Sequence, residues 1–228
     1  MRFIKFLFGA LFVIVLVAGA FLAWYVFGDN APGKPTLAVT APSAAGPKTP
    51  NGRWRLVPLP RDYVGYRIKE LFGDTAIKRD AVGRTHAVTG TLVIASGRVS
   101  TAVVDADISK LDSGRAARDS YTRESALEGT KYPHARFTLA APITLPAGLA
   151  KGQKVHTQAS GTLLLHGVTR PVTITIDARW NGPTIEMIGN APIVLRDFAI
   201  DTPNTPIAKV DDHGSLELDL EFVPSPRA

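Results

Sequence analysis

From Trp54 to Phe222 apolar and polar residues take turns along the chain. Val172, Ile174, Ile176 and Ala178 are interleaved with Thr173, Thr175, Asp177 and Arg179. Leu216, Leu218, Leu220 and Phe222 are interleaved with Glu217, Asp219 and Glu221. Val64, Tyr66 and Ile68 form an earlier set, and Phe137, Leu139 and Ala141 another. A period of two means strands with one buried face and one wet face. The Val, Ile and Thr content of these runs suits a pleated surface. Ser96-Gly97, Asn181-Gly182-Pro183 and Asp212-His213-Gly214 punctuate the runs as turns. The last of these predicts a closing hairpin between Ala208–Val210 and the final strand. About eight strands over roughly 170 residues predict an all-β domain, an antiparallel sheet closed on itself as a barrel or sandwich.

One stretch has no alternation. Ser113 to Glu128 is rich in helix formers, with Ser113 placed to cap its start and Gly129 after its end. Tyr132-Pro133 stops any continuation, and a strand resumes at Ala135. One or two short helices crossing between strands are expected, lidding one end of the barrel.

Before Trp54 the pattern changes twice. Phe6 to Phe27 is a run of 22 uncharged residues ending near Trp24 and Tyr25. As a helix it spans about 33 Å, against a hydrocarbon core of about 30 Å. Arg2 and Lys5 precede it and Asp29 follows, so the amino terminus is expected in the cytoplasm and the rest outside. A cleaved signal peptide cut near Ala18-Gly-Ala20 is the competing reading. Both deliver the domain to the extracytoplasmic (periplasmic or extracellular) side. Gly28 to Arg53 then carries prolines 32, 35, 42, 47 and 50 among small residues, which predicts an extended spacer with no role beyond reach. The expected organisation is a membrane anchor or signal segment over 1–27, a linker over 28–53 and a barrel over 54–228.

Composition alters this picture little. The chain is 45% hydrophobic and 20% charged, in keeping with a globular domain. It has no cysteine, which excludes disulfides, zinc–thiolate sites and thiol nucleophiles. The net charge of +6 lies largely in the first 53 residues, leaving +2 for residues 54–228, so no nucleic-acid partner is expected. Candidate chemistry is sparse. His86, His134, His156, His166 and His213 fall in no metal-binding spacing, and no nucleophile elbow or phosphate loop occurs. Asp105 and Asp107 share an outward strand face, and Asp211-Asp212 precedes a glycine, as solubilising and turn residues do. Arg118-Asp119 falls in the helical stretch, where a local ion pair or a cap accounts for it. No catalytic residue, metal or cofactor is expected.

Gly161 to Val172 (GTLLLHGVTRPV) resembles the G-x-L-x-L-x-G-V-T-[KR]-P-V signature of the YceI-like family. Arg118-Asp119 matches that family's R-D pair, Tyr132-Pro133 with Phe137 its Y-P-x-x-x-F, and Leu195 to Ile200 (LRDFAI) its L-x-D-F-x-I. Tyr63 to Ile68 (YVGYRI), with Gly90 after it, is similar to the family's opening strands. The matches keep the family's order across residues 54 to about 223.

The resemblance implies an elongated, lipocalin-like, eight-stranded antiparallel barrel with a short helical insert. It implies a binding protein for long isoprenoid lipids, polyprenyl phosphates or isoprenoid quinones, and no enzyme. Under that reading the inward residues line the lumen. They are Val64, Tyr66, Ile68, Leu92 and Val104 from the first half, then Phe137, Leu139, Leu163, Leu165 and Val172. Ile174, Ile193, Phe198, Leu216 and Leu218 complete the set. The face of Leu163 and Leu165 against Leu164 is undecided, because all three are apolar. Arg118, Arg123 and Arg196 are candidates for an anionic head group, since guanidinium suits phosphate. A membrane-tethered lipid carrier is one reading. A scaffold whose barrel is filled by its own side chains, meeting a membrane-protein partner, is the other. A lipid hydrolase or isomerase would need titratable groups in a lumen that reads as apolar. Oligomeric state is not legible.

Overall fold

A computed structural model of the 228-residue chain describes residues 16, 31–38, 41–57, 59–72, 78–205 and 208–226. The chain divides into two compact units, Met1–Pro32 and Gly33–Ala228, and the fold lies in the second. The expected anchor over 1–27 and the first linker residues lie outside the described residues, Leu16 apart. Among the described residues no helix is long and apolar enough to cross a membrane.

The second unit is one antiparallel sheet. Its strands are β1 (Gly52–Leu56), β2 (Tyr63–Phe72), β3 (Arg79–Thr85), β4 (Val88–Ala95), β5 (Arg98–Asp107), β6 (His134–Leu139), β7 (Ile143–Thr144), β8 (Lys154–Leu165), β9 (Val168–Trp180), β10 (Ile185–Val194) and β11 (Ala208–Pro224). Pairing runs β1-β4-β5-β6-β8-β9-β10-β11, and β1 also pairs with the end of β11, so eight strands close a ring. The β2–β3 hairpin continues on β11 beyond β1, and β7 adds a short pair to β5. Closure removes the free edges that an open sheet must protect. The expected barrel of eight strands is therefore present, with β2, β3 and β7 in addition.

Local sequence accounts for the connections. Ser96-Gly97 and His166-Gly167 both have positive φ at each residue (50° and 70°, 50° and 73°). That geometry matches the twist of paired strands and gives two-residue hairpins. Asp212-His213-Gly214 does not close a hairpin. β11 runs through it as one strand, and the pairing with β2 slips between Val210 and Gly214. Residues 211–213 bulge out there, and a Cβ on Gly214 would collide with the Arg67 carbonyl. The glycine serves a close backbone approach, which sequence alone does not distinguish from a turn.

The helical stretch is shorter than the pattern predicts, and its second half is wider than an α-helix. An α-turn, Ala116–Ser120, runs directly into a π-helix, Tyr121–Ala126. Ser113 does not cap it. Its N–H and hydroxyl both donate to the Asp119 carboxylate, at 2.8 and 2.6 Å. The insert covers one end of the barrel through Leu127, which packs with Ile108, Leu111 and Leu165.

The linker is held against the barrel. Arg84 on β3 donates to the Gly33 carbonyl at 3.1 Å, and Arg179 on β9 to that of Ala38. Ser43 N–H donates to the Asn181 carbonyl at 3.0 Å. Lys151 Nζ donates to the carbonyls of Ser43 and Ala45 at 3.0 and 3.2 Å. β2, β11 and β10 lie between β3 and β9, so the segment straps across their outer face. Glu186 and Glu217 point outward there and are nonetheless buried. The spacer expected to be free is thus held to the barrel at Gly33, Ala38, Ser43 and Ala45, because its exposed carbonyls find cationic side chains.

Candidate functional site

Inward residues of the ring converge on three apolar clusters. Among the described residues two cavities, of about 150 and about 100 Å³, lie between these clusters. The larger is at the end covered by the helical insert. Val64, Tyr66, Ile68, Leu165, Ile193 and Leu216 line it. The smaller is lined by Leu92, Val104, Phe137, Ile174 and Leu218, with Pro50 from the linker and Trp180 at its far end.

The remaining predicted lumen residues line neither cavity. Leu163 is buried on the inner face in the cluster beside the larger cavity. Val172 packs against that cluster and the next, at the waist between the cavities. Leu139 packs beside Phe137. Phe198 belongs to a 3₁₀ turn, Leu195–Phe198, that plugs the end of the barrel. The undecided register on β8 resolves plainly: Leu163 and Leu165 are each 6% exposed and Leu164 is 37% exposed.

Gly161 shapes the waist. It sits on the inner face of β8 beneath the Phe137 ring, and a Cβ there would lie 2.5 Å from that ring and collide with the Thr138 carbonyl. The same device recurs at Gly83, where a Cβ would lie 2.5 Å from the Tyr66 ring. Aromatic rings lie down on glycines, which keeps large side chains inside the barrel without filling it.

Polar groups gather at one place on the larger cavity. Along β2 the inward face reads Val64, Tyr66, Ile68 and then Glu70. Glu70 is paired with Arg118 of the insert, whose Nε lies 3.3 Å from Oε2 and whose Nη2 is bonded to Oε1. Both side chains are largely buried, at 8% and 14% exposure. Tyr66 Oη lies 3.5 Å from Thr122 Oγ1 in the π-helix. Burial pushes the Tyr66 phenol above its ordinary value of 10.0, so it remains a neutral hydroxyl. Glu70 is absent from the sequence-based set, yet it follows from extending the period of two by one more step. Asp201 and Thr202 complete this rim.

The other two arginines proposed for a head group lie elsewhere. Arg123 donates to the Leu111 carbonyl at 3.1 Å and so ties down the insert. Arg196 is on the surface, 2.9 Å from Asp212. Within the Arg118-Asp119 dipeptide, Arg118 faces Glu70 and Asp119 accepts from Ser113. All five histidines have hydrogen-bond partners. His166 joins the Phe198 carbonyl at 3.0 Å and Glu128 at 2.9 Å, pinning the β8–β9 turn to the plug and the insert. His134 and Arg136 flank Asp105 on the outer surface, at 2.8 and 2.7 Å. Among the described residues no three His, Asp or Glu side chains are placed to hold a metal ion.

An apolar barrel with an insert-covered end and a paired Glu and Arg at its rim can be compared with known proteins. The sequence pattern of the YceI-like domain matches residues 62–222. The chain belongs to the YceI-like family. Its relatives include a UPF0312 protein of Vibrio campbellii, 29% identical over 137 residues, 57% of this chain and 65% of that protein. A UPF0312 protein of Shewanella denitrificans is 30% identical over 128 residues, 52% of this chain and 63% of its own. This chain thus spans less than two thirds of the length of these curated relatives. Among solved structures, a polyisoprenoid binding domain from Saccharophagus degradans, implicated in plant cell wall breakdown, superimposes with a TM-score of 0.58. It is 16% identical, and the match covers 75% of this chain and 98% of that one. BcnA of Burkholderia cenocepacia follows the same fold, with a TM-score of 0.52 and 19% identity over 68% of this chain and 95% of its own. The YceI-like fold is thereby the fold of this domain.

Proposed function

We propose that this YceI-like domain binds a long isoprenoid lipid inside its barrel, with the tail in the apolar lumen and the head at the rim formed by Glu70, Arg118, Tyr66 and Thr122. The observation that carries this reading is the asymmetry of the interior. Two apolar cavities lie along one barrel, and one of them ends in a small buried polar cluster. Each methylene-sized unit of a tail contributes about 0.8 kcal/mol when it leaves water. A few polar groups at one end then set orientation. The polyisoprenoid-binding neighbour from Saccharophagus degradans, alike in fold, supports the same ligand class. The role is binding and carriage without catalysis, and no cofactor is needed.

The charge pattern of residues 1–29 supports a tether in the plasma membrane with the barrel on the extracytoplasmic side. Such a domain would take lipid from, or hold it near, one membrane. The test is native mass spectrometry of the full chain, purified from cells that make isoprenoids and measured before and after organic extraction. A stoichiometric isoprenoid adduct lost on extraction is expected. Protein that carries no lipid and refuses added polyprenol would overturn the reading in favour of a side-chain-filled scaffold.

A further inference from the structure

Resting on the reading of the barrel as an isoprenoid holder, we infer that its rim selects an uncharged, hydrogen-bonding head group, such as a prenol hydroxyl or a quinone carbonyl, over a phosphate. The observation is the charge balance of the larger cavity. Among the described residues two arginines reach its wall, Arg67 and Arg118. Each is already held by carboxylates. Arg118 is bonded through Nε and Nη2 to both oxygens of Glu70. Arg67 donates to Glu217 at 2.5 Å and to Asp80 at 3.2 Å, on the outer side of β2. The wall also holds Asp201. On the neighbouring surface Lys69 is paired with Asp80 and Lys78 with Asp211, both at 2.7 Å.

A phosphate placed at this rim meets Glu70 and Asp201 as well as Arg118. To bind it, Arg118 must leave Glu70, and a buried carboxylate without its cation is strongly unfavourable. A phosphate site is built the other way, with cationic donors in excess and forks open toward the ligand. What the rim offers instead is a neutralised ion pair and two hydroxyls, Tyr66 Oη and Thr122 Oγ1. Hydroxyls both donate and accept, so they match an alcohol, a phenol or a carbonyl equally well. Glu70 is therefore the positioning and discriminating residue. It fixes the Arg118 fork and cancels its charge.

The experiment is a competition read by native mass spectrometry on the full chain in detergent at fixed ionic strength. The probes are an equimolar polyprenol and polyprenyl phosphate with the same tail. The wild-type protein is expected to carry the polyprenol in excess. Glu70→Gln keeps the shape of the side chain and removes its charge. It should shift the bound ratio toward the phosphate by about tenfold or more, the effect of one unit charge left unbalanced in a largely buried wall. Arg118→Gln should move the ratio the opposite way. Wild-type protein that prefers the phosphate overturns the inference and leaves the lipid-binding reading standing. A ratio unmoved by Glu70→Gln also overturns it. If neither lipid binds, the lipid-binding reading falls and takes this one with it. Should Glu70→Gln fail to fold, the wild-type ratio and Arg118→Gln decide the matter.

Discussion

Leu164 and Leu165 are adjacent, identical in chemistry and opposite in consequence. Leu165 lines the larger cavity and Leu164 faces outward. Leu165→Ala is expected to cost about 2 kcal/mol, the low end for a core leucine because one side already borders open space. Leu164→Ala should stay within about 0.5 kcal/mol. Urea denaturation of the two variants checks both values, and equal losses would mean the β8 register is wrong. Titration at single residues gives a second prediction. Burial raises the Asp219 carboxyl above its ordinary 3.8, and Arg61 opposes this only in part. The folded state therefore holds this proton at a pH where the unfolded chain has released it. Stability from this group is highest below the ordinary value and is lost as pH rises through the raised one. Asp80 has the opposite sign. Its hydrogen bond with Lys69 lowers it, so its contribution is present above 3.8 and is lost as pH falls through the lowered value. Asp219→Asn should raise the melting temperature at neutral pH, and its advantage should shrink as the pH approaches the ordinary carboxylate range. An advantage that grows on acidification would refute this account. Much of this scale was legible in the sequence. The inward phase of Val64, Tyr66, Ile68, Leu216 and Leu218 follows directly from alternation. Glu70 shows the limit, because an acidic residue at an inward step reads as the end of a strand until its partner, Arg118, is seen 48 residues away.

Elements differ in how much of them a local pattern can carry. β8 and β9 pair from Lys154 with Arg179 to Leu165 with Val168 around a two-residue turn; alternation on β9 is plain in the sequence, whereas the face of Leu163 and Leu165 is set only by the pairing. β11 does not declare its bulge. Asp212-His213-Gly214 has the composition of a turn, yet β10 pairs straight through His213 and Gly214. Tertiary pairing overrides the local turn signal there. The helical insert is the least regular element and the most consequential one, because its π-helix places Thr122 on the cavity while Arg118 precedes it. π-segments of this kind recur at functional sites. One contact anchors its entry: Asp119 is buried and accepts both donors of Ser113. Asp119→Ala leaves those donors without their acceptor and should cost about 1–3 kcal/mol. The loss should be local. Amide exchange should quicken over residues 113–127 while β8 and β9 stay protected. Uniform loss of protection would mean that the insert and the barrel unfold as one unit.

For the whole molecule, the docked linker changes what the amino-terminal region does. Its proline and small-residue composition describes a chain that buries little, and on that ground it reads as a spacer. What composition cannot express is that its backbone carbonyls are acceptors, and that the barrel presents Arg84, Arg179 and Lys151 to receive them. Those three cations sit on β3, on β9 and in the β7–β8 loop, so only the closed barrel brings them into one path. Lys151 is the hub of the far end. Its Nζ serves the carbonyls of Ser43 and Ala45 and lies 5.5 Å from the centre of the Trp180 ring, which lines the smaller cavity. Pro50, a few residues on, lines that cavity too, and its carbonyl accepts from Trp54 Nε1 at 2.8 Å. The linker is therefore a wall of the lumen at this end, opposite the rim at Glu70. Lys151→Met keeps the aliphatic stem and removes the donor. It should cost about 1–2 kcal/mol, as expected for charge-assisted bonds that are partly exposed. Protease susceptibility should rise within residues 41–50, because a released strap is an extended proline-rich chain with exposed backbone. The rim lies at the other end of the barrel, so the ratio of neutral to phosphorylated lipid bound should be unchanged. If Lys151→Met leaves both the unfolding midpoint and the cleavage rate unaltered, the strap contributes nothing to the closed end. If it alters the head-group ratio, the two ends of the lumen communicate through the waist at Phe137, Leu163 and Val172.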